Sequence, residues 1–418
     1  MKVIICAKCV YPFHPVGGIQ KYVYYLAKHL QKKGVELEVV APADKFGARR
    51  ESFDGIQFQL LNPYIHNYLE LPIGWLGVYQ FSRSLVNYLK DKDFDLLHSF
   101  DLSGYYYLNV QNRKPMIAQI YTDNYLCNPI ATINPLNFLN LTGSQYEAIK
   151  QQKVAISPFD SGAIKRKYWL QYLFKIRPMH RLLSKVDRIF FEDGSIERQV
   201  SELYRLKKGK SRVLPVGTDL AYIDEKAQEP INVREKLGLS KDDIILLTVN
   251  RLAADKGIDK IVLAMKDLVL RNKKLKFIFI GSGYQEQEIN KLIKENQLGD
   301  FIKHVKNVPE EQLYAYYSAA DLYLCTFSFP GSSLSTLEAM ACGLPIITTA
   351  QPWLVEGEQN GMFIKSNDPD LIASAIEKMI KDGNLKHKGK VSRRIVETYD
   401  WSAIASKAFE LYKELLKV

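Results

Sequence analysis

Short apolar runs rich in β-branched residues recur along the chain, and a helical stretch follows each of them. "KVIIC" at 2–6 leads into a glycine pair and then a helix that puts Tyr22, Val23, Leu26, Ala27 and Leu30 on one face, with Gly34 placed to end it. "ELEVVAP", "DLLHSF", "MIAQIY", "DRIFFE" at 187–192 and "RVLPVG" at 212–217 follow as further strands. The second half repeats the rhythm with "DIILLTVN" (243–250), "LKFIFIG" (275–281), "DLYLCT" (321–326) and "PIITT" (345–349). Strands without polar alternation, separated by helices, demand a parallel sheet covered on both faces. Between the halves lies "KAQEPINVREKLGLSKDD", polar and without strand character. The pattern therefore predicts two Rossmann-like α/β domains, 1–220 and 221–398, with ligands at the carboxyl ends of the strands and a site in the cleft between domains.

Length agrees, because 418 residues exceed a single core and suggest domains of roughly 200 residues. The 57 basic and 46 acidic side chains leave a net charge of +11, which fits a phosphate-bearing ligand or an anionic surface and does not by itself call for nucleic acid. No uncharged apolar run reaches the ~18 residues of a membrane span, and "MKVIICAKC" reads as a strand rather than a cleaved leader. Cys6, Cys9, Cys127, Cys325 and Cys342 are odd in number and scattered, which points to a reducing, cytoplasmic setting. The Cys6–Cys9 spacing opens no helix and has no second pair, so it supports neither a redox motif nor a zinc site.

Three motifs carry chemistry. In "PVGGIQK", Gly17 and Gly18 precede a helix. They serve either a tight turn or the close approach of an anion to backbone N–H groups. In "VNRLAADKGIDK", Arg251 lies just past a strand end and Lys256 just before a helix, a placement suited to a diphosphate. In "FPGSSLSTLEAMACGLPIITT", a loop of small residues enters an apolar helix that carries one carboxylate, Glu338. Ser335 and Glu338 have the S-x-x-E spacing of a capping box. The other reading gives Glu338 two ribose hydroxyls, with the N–H groups of Ser333, Leu334 and Ser335 facing a phosphate.

Taken together, "RLAADKG" and, some 80 residues on, "LEAMACGLPIITT" resemble the retaining glycosyltransferases of family 4, which have the GT-B fold. The resemblance runs through "PVGGIQKYVYYLAKHLQKKGVELEVV", "FDLLHSFD", "VDRIFFEDGSIERQV", "RVLPVGTDL" and "WSAIASKAFELYKELL". The last of these is similar to a closing helix, 399–418 here, that returns to the N-terminal domain. The resemblance implies that Arg251 and Lys256 hold a donor diphosphate, Glu338 the ribose, and Gly17 and Gly18 the phosphates from beneath. It implies that His98 lies near the transferred sugar. It further implies a nucleotide-diphosphate sugar as co-substrate, no metal, and attack by an acceptor hydroxyl on the same face within a tight ion pair.

The chain departs from that family twice. Pro330 stands where the first glutamate of its Glu-x7-Glu motif would be, leaving Ser332 or Ser333 to meet the sugar. Thr122 and Asp123 stand where a second histidine is expected. Two other constellations carry less. Asp91, Asp93 and Asp95 precede a strand rather than end one, as a solvated turn does. "GSGYQE" lacks the third glycine of a dinucleotide fingerprint. The segment 161–186 is different: Lys165, Arg166, Lys167, Lys175, Arg177, Arg181 and Lys185 alternate with Trp169, Tyr172 and Phe174, and no acid interrupts them. It reads either as a surface helix or as a contact with an anionic membrane, which would put a lipid-linked glycan among the acceptors and the protein on the inner face of the cell membrane. The sequence thus points to a metal-independent hexosyltransferase. A sugar-nucleotide epimerase or hydrolase, and a non-catalytic sugar- or lipid-binding protein of the same fold, stand as alternatives.

Overall fold

The computed structural model describes residues 1–14, 18–62, 72–120, 173, 177–228, 231–328, 331 and 333–418. The chain divides into two compact units, Met1–Pro215 with Ile404–Val418, and Val216–Ala403.

Unit 1 is built on an eight-stranded sheet in the order β3-β4-β2-β1-β5-β6-β7-β8. The strands are β1 (Lys2–Cys6), β2 (Glu36–Pro42), β3 (Arg49–Phe53), β4 (Ile56–Leu61), β5 (Leu96–Phe100), β6 (Met116–Ile120), β7 (Arg188–Phe191) and β8 (Ser211–Val213). All pair in parallel except β3, which runs antiparallel to β4 at the edge. β1 lies inside the sheet, where Ile5 pairs with Val39 on one side and His98 on the other. Its neighbours on the faces are helices, so Val3, Ile4 and Ile5 are all buried. Helix Gly18–Gln31 turns Tyr22, Val23, Leu26, Ala27 and Leu30 inward, the face its 3.6-residue period predicts. The β3–β4 hairpin was not expected from sequence. "RRESF" has no apolar alternation, and only the Asp54–Gly55 turn, with positive φ at both residues, announces it.

The final helix, Trp401–Leu416, supplies the end of unit 1. Glu414 on it takes Arg212 at 2.7 Å and Arg188 at 3.2 Å. Tyr412 is buried, and its hydroxyl is joined to His98 Nδ1 by a 2.6 Å hydrogen bond. The His98 ring stacks on Phe100 at 5.1 Å and meets Phe190 edge-on at 5.6 Å.

Unit 2 holds a second parallel sheet in the order β11-β10-β9-β12-β13-β14. Its strands are β9 (Ile244–Val249), β10 (Leu275–Ile280), β11 (Ile302–Val305), β12 (Leu322–Cys325), β13 (Ile346–Thr348) and β14 (Gly361–Phe363). Helix Ile258–Arg271 covers one face with Ile261, Val262, Met265 and Leu268 against Leu246, Phe277 and Leu324. Within this unit Thr218 exchanges backbone bonds with Tyr399 and Trp401, at 2.8 and 3.0 Å. Gly217 lies under the Trp401 ring, where a Cβ would come within 2.7 Å.

Burial drives the pKa of His98 down from 6.5 to about 3, because the imidazolium would lose its water. The unfolded chain takes this proton near pH 6.5, whereas the folded protein refuses it until about pH 3. Stability contributed by neutral His98 is therefore complete above pH 6.5 and is lost as pH falls through that window, by up to about 1.4 kcal/mol per pH unit. We expect denaturant midpoints measured between pH 7 and pH 4 to fall less steeply for His98→Gln than for the wild type. An unchanged slope would mean that the ring is protonated inside the fold.

Candidate functional site

The carboxyl edge of the unit 2 sheet gathers three loops. The first leaves β9. Arg251 stands exposed on it, and its guanidinium makes no ion pair among the described residues. The second leaves β10 and lies against the first. Leu252 N–H donates to Ser282 O at 3.0 Å, Gln285 N–H to Leu252 O at 3.2 Å, and Ala254 N–H to the Tyr284 hydroxyl at 3.0 Å. The glycines of "GSGYQE" exist for this approach rather than for a dinucleotide. A Cβ on Gly281 would stand 2.0 Å from Asn250 O, and one on Gly283 would stand 2.2 Å from Leu252 O.

The third loop leaves β12 and is stitched to Lys256. Ser328 N–H donates to Asp255 O at 2.8 Å, and the Thr326 hydroxyl reaches the carbonyls of Lys256 and Gly257 at 3.1 and 3.2 Å. Asn367 braces that loop through Thr326 O and Ser328 Oγ. The Lys256 ammonium sits 3.7 Å from the centroid of the Phe327 ring and 3.2 Å from its neighbour Asp255. Sequence reading found Arg251 and Lys256 but missed Phe327, Tyr284 and Asn367. Each comes from another loop, after β12, β10 and β14 respectively, and only the sheet order β10-β9-β12-β13-β14 brings them to one edge.

The helix that follows β12 starts earlier than its sequence suggested. Ser333, not Ser335, is its N-cap, and its hydroxyl accepts from Thr336 N–H at 3.3 Å. Glu338 therefore falls two residues past the N3 position, so the capping box does not form. Ser335 instead bonds Ser333 Oγ at 2.9 Å and accepts from the Tyr323 hydroxyl at 2.8 Å. Glu338 is 9% exposed, and Oε2 accepts from the Tyr317 hydroxyl at 3.0 Å. Burial, and then the charge of Glu338, push the Tyr317 phenol well above its ordinary pKa, so its proton stays in that bond. Leu334 occupies the first helical position, where backbone N–H groups lack intrahelical partners. Ser332 and Pro330 lie outside the described residues, as do Thr122 and Asp123.

Unit 1 treats its expected residues differently. Gly18 opens helix Gly18–Gln31, while Gly17 lies outside the described residues. His98 was expected beside the transferred sugar, but the structure puts it in the core. Its side chain has no exposed surface and is enclosed by Phe100, Phe190 and Tyr412. β5, Leu96–Phe100, is buried along its whole length, and the histidine within it shares that burial. Burial lifts the Cys6 thiol to about 12, which keeps it protonated and unreactive. Asp93 pairs with Lys2 Nζ at 2.7 Å, and Asp95 accepts from Lys2 N–H at 2.8 Å, so both acids sit at the amino edge of the sheet. Of 161–186, the structure describes Leu173 and 177–186. Helix Arg177–Lys185 turns Met179, Leu182 and Leu183 into the core, and Arg181 donates to Asn109 and lies over Tyr105. Among the described residues no helix is long and apolar enough to cross a membrane, and no cluster of three or more metal-ligating side chains occurs.

Comparison with known proteins bears on these sites. A family model described as "Glycosyl transferases group 1" matches residues 231–395, and one described as "Glycosyltransferase Family 4" matches residues 16–222. An uncharacterized glycosyltransferase of Methanocaldococcus jannaschii is 22% identical, with 96% of each chain aligned. Alpha-monoglucosyldiacylglycerol synthase of Streptococcus pneumoniae is 25% identical over 45% of this chain, which spans only 43% of that enzyme. Among solved structures, sucrose-phosphate synthase from Thermosynechococcus elongatus superimposes with a TM-score of 0.75 at 22% identity, covering 100% of this chain and 99% of that one. Anabaena HepE in complex with UDP-glucose gives a TM-score of 0.67 at 15% identity, covering 99% and 100%. Both units thus have the Rossmann-like architecture of the GT-B fold.

Gly257 decides whether Lys256 can stand where it does. Its φ is +67°, and a Cβ there would lie 2.3 Å from Thr326 O. We expect Gly257→Ala to cost about 1–3 kcal/mol of unit 2 stability and to loosen the Asp255–Ser328 contact, as read by chemical denaturation and amide exchange at Ser328. Wild-type stability in this variant would show that the turn is not fixed by the contact.

Proposed function

The chain belongs to the glycosyl transferases group 1, and from that premise we propose that it moves a hexose from a nucleotide-diphosphate sugar to an acceptor hydroxyl with retention of anomeric configuration. The observation that carries this reading is the state of Glu338. A carboxylate 9% exposed, beyond the N3 position and bonded by Tyr317, sits on the helix that follows the β12 loop stitched to Lys256. Burying a carboxylate is costly unless it is bonded, and a helix of this length needs none. A role toward ribose hydroxyls accounts for it.

In this reading Arg251 and Lys256 take the diphosphate, helped by the N–H groups of Leu334 and Ser335 at the positive end of the helix. The bond from the anomeric carbon to the β-phosphate oxygen breaks first, and charge develops on that oxygen. Two preplaced cations lower the barrier by meeting that charge, which leaves no step for a metal ion. The acceptor oxygen then bonds the anomeric carbon from the same face, within the ion pair, and its proton passes to the departing diphosphate. HepE, whose fold is similar, is known in complex with UDP-glucose, which supports UDP-sugars as the first donors to try. Pro330 in place of a family glutamate favours one further reading, a protein that binds nucleotide sugars without transferring them.

The two readings part on turnover. We expect Arg251→Ala and Lys256→Ala each to lower turnover by roughly 10²–10³ with the fold intact, the usual effect of losing one preplaced charge. Full turnover of either variant at saturating donor would remove that residue from the site. A wild type stabilised by UDP- or GDP-sugars but without transfer to any acceptor would favour the binding protein.

We also propose that the acceptor is lipid-linked and met at an anionic membrane, because 161–186 carries cations and aromatics without an acid. Wild-type protein should then sediment with anionic liposomes at low salt and release as salt rises. Lys165→Glu, Arg166→Glu and Lys167→Glu together should abolish this. Indifference of the wild type to anionic liposomes would point to a soluble acceptor.

A further inference from the structure

Two tyrosines from different elements lie beside helix Leu334–Ala341, and each hydroxyl holds a different residue of it. Tyr317, on helix Glu310–Ala319, donates to Glu338 Oε2 at 3.0 Å. Tyr323, on β12, donates to Ser335 Oγ at 2.8 Å. Both side chains are completely buried, with ring centroids 6.0 Å apart. Tyr314 backs Tyr317 at 6.2 Å, and Tyr222 meets Tyr314 edge-on at 5.8 Å. The Tyr317 hydroxyl is thus fixed by packing and not only by its bond.

Glutamate on a helix has three rotatable side-chain bonds. A carboxylate free to turn would lose that freedom on meeting a ligand, which weakens binding. One bond from a wedged ring removes the loss beforehand. We propose that Tyr317 is a positioning residue, which presents the Glu338 carboxylate to the ribose hydroxyls of a nucleoside diphosphate. This rests on the donor reading above and adds to it the group that makes Glu338 effective. Tyr317 stays protonated over the whole working range, since burial and the adjacent carboxylate both oppose its ionisation. It therefore remains a donor, and Glu338 remains an acceptor with its charge.

A purely structural tyrosine would support the fold and nothing else. Tyr323 provides the comparison, because its side chain is equally buried and its hydroxyl bonds Ser335 of the same helix. The experiment is calorimetric titration of the full chain with UDP, GDP and ADP, then with the 2′,3′-dideoxy form of whichever binds. The wild type should prefer the ribose form by about tenfold or more, the value of a hydrogen bond to a charged group. Tyr317→Phe should erase most of that preference while leaving affinity for the dideoxy form within about twofold, since the diphosphate contacts are untouched. Tyr323→Phe should keep the preference even where its melting temperature falls. If Tyr317→Phe does not fold, Glu338→Asp replaces it. The shorter side chain withdraws the charge from Tyr317 and should lose the same preference.

Retained preference in Tyr317→Phe, or in Glu338→Asp, overturns the proposal. So does equal weakening of both ligands in Tyr317→Phe. A wild type that binds both forms equally overturns the ribose role of Glu338, and the positioning role falls with it. A wild type that binds no nucleoside diphosphate overturns the donor reading itself. These last two results appear in the wild type alone, so they cannot be confused with a failure at Tyr317.

Discussion

Every strand of a parallel sheet ends on the same edge as its neighbours. Loops distant in sequence must therefore share space there. In unit 2 the neighbours β10, β9 and β12 bring the segments after Ile280, Val249 and Cys325 side by side. The contacts are made of backbone: Leu252 with Ser282 and Gln285, Asp255 with Ser328. Gly281, Gly283 and Gly257 lie beside them, where a Cβ would press on the carbonyls of Asn250, Leu252 and Thr326. The rest of the site follows. Lys256 is carried to Phe327, Arg251 is left exposed on the same loop, and the chain leaves β12 for the helix that bears Glu338.

Both units bury a polar side chain, His98 on a strand and Glu338 on a helix, and they resolve the cost differently. His98 is kept neutral, joined to a phenol and closed in by rings, so it titrates far below its usual range. Glu338 is given a phenol donor of its own. An unpaired buried polar group costs a few kcal/mol, so a partner is required in each case. In both, the partner is a tyrosine remote in sequence. The difference lies in the surroundings: His98 is enclosed in the middle of β5, whereas Glu338 is on the helix that follows the β12 loop.

What could be read in the sequence was local. Apolar runs marked ten of the fourteen strands among the described residues, all but β3, β4, β11 and β14, and periodicity placed the inward face of helix Gly18–Gln31. Arg251 and Lys256 stood out because strand ends and helix starts are themselves local signals. Ser333 and Ser335 are both plausible caps by composition, and only the backbone decides between them. The β3 strand is hidden by its polar composition, and only the Asp54–Gly55 turn signals it. His98 was misplaced because its surroundings come from Phe190 and Tyr412, which no spacing rule connects to it. Nothing in "YAYY" singles out Tyr317, since its partner lies in another element.

The discontinuous makeup of unit 1 has a consequence for biosynthesis. His98 and Tyr412 are 314 residues apart, with all of unit 2 between them. A ribosome adding on the order of 5–20 residues per second needs roughly ten to forty seconds to pass through unit 2. During that interval the first sheet is complete in the nascent chain, yet Phe190 and the imidazole await the helix whose Tyr412 will cover them. The emerging protein therefore carries a sticky, aromatic surface that belongs to its own unfinished interior. A ribosome-associated chaperone would find its natural foothold there, and a chain cut short before Tyr412 would keep that foothold for good.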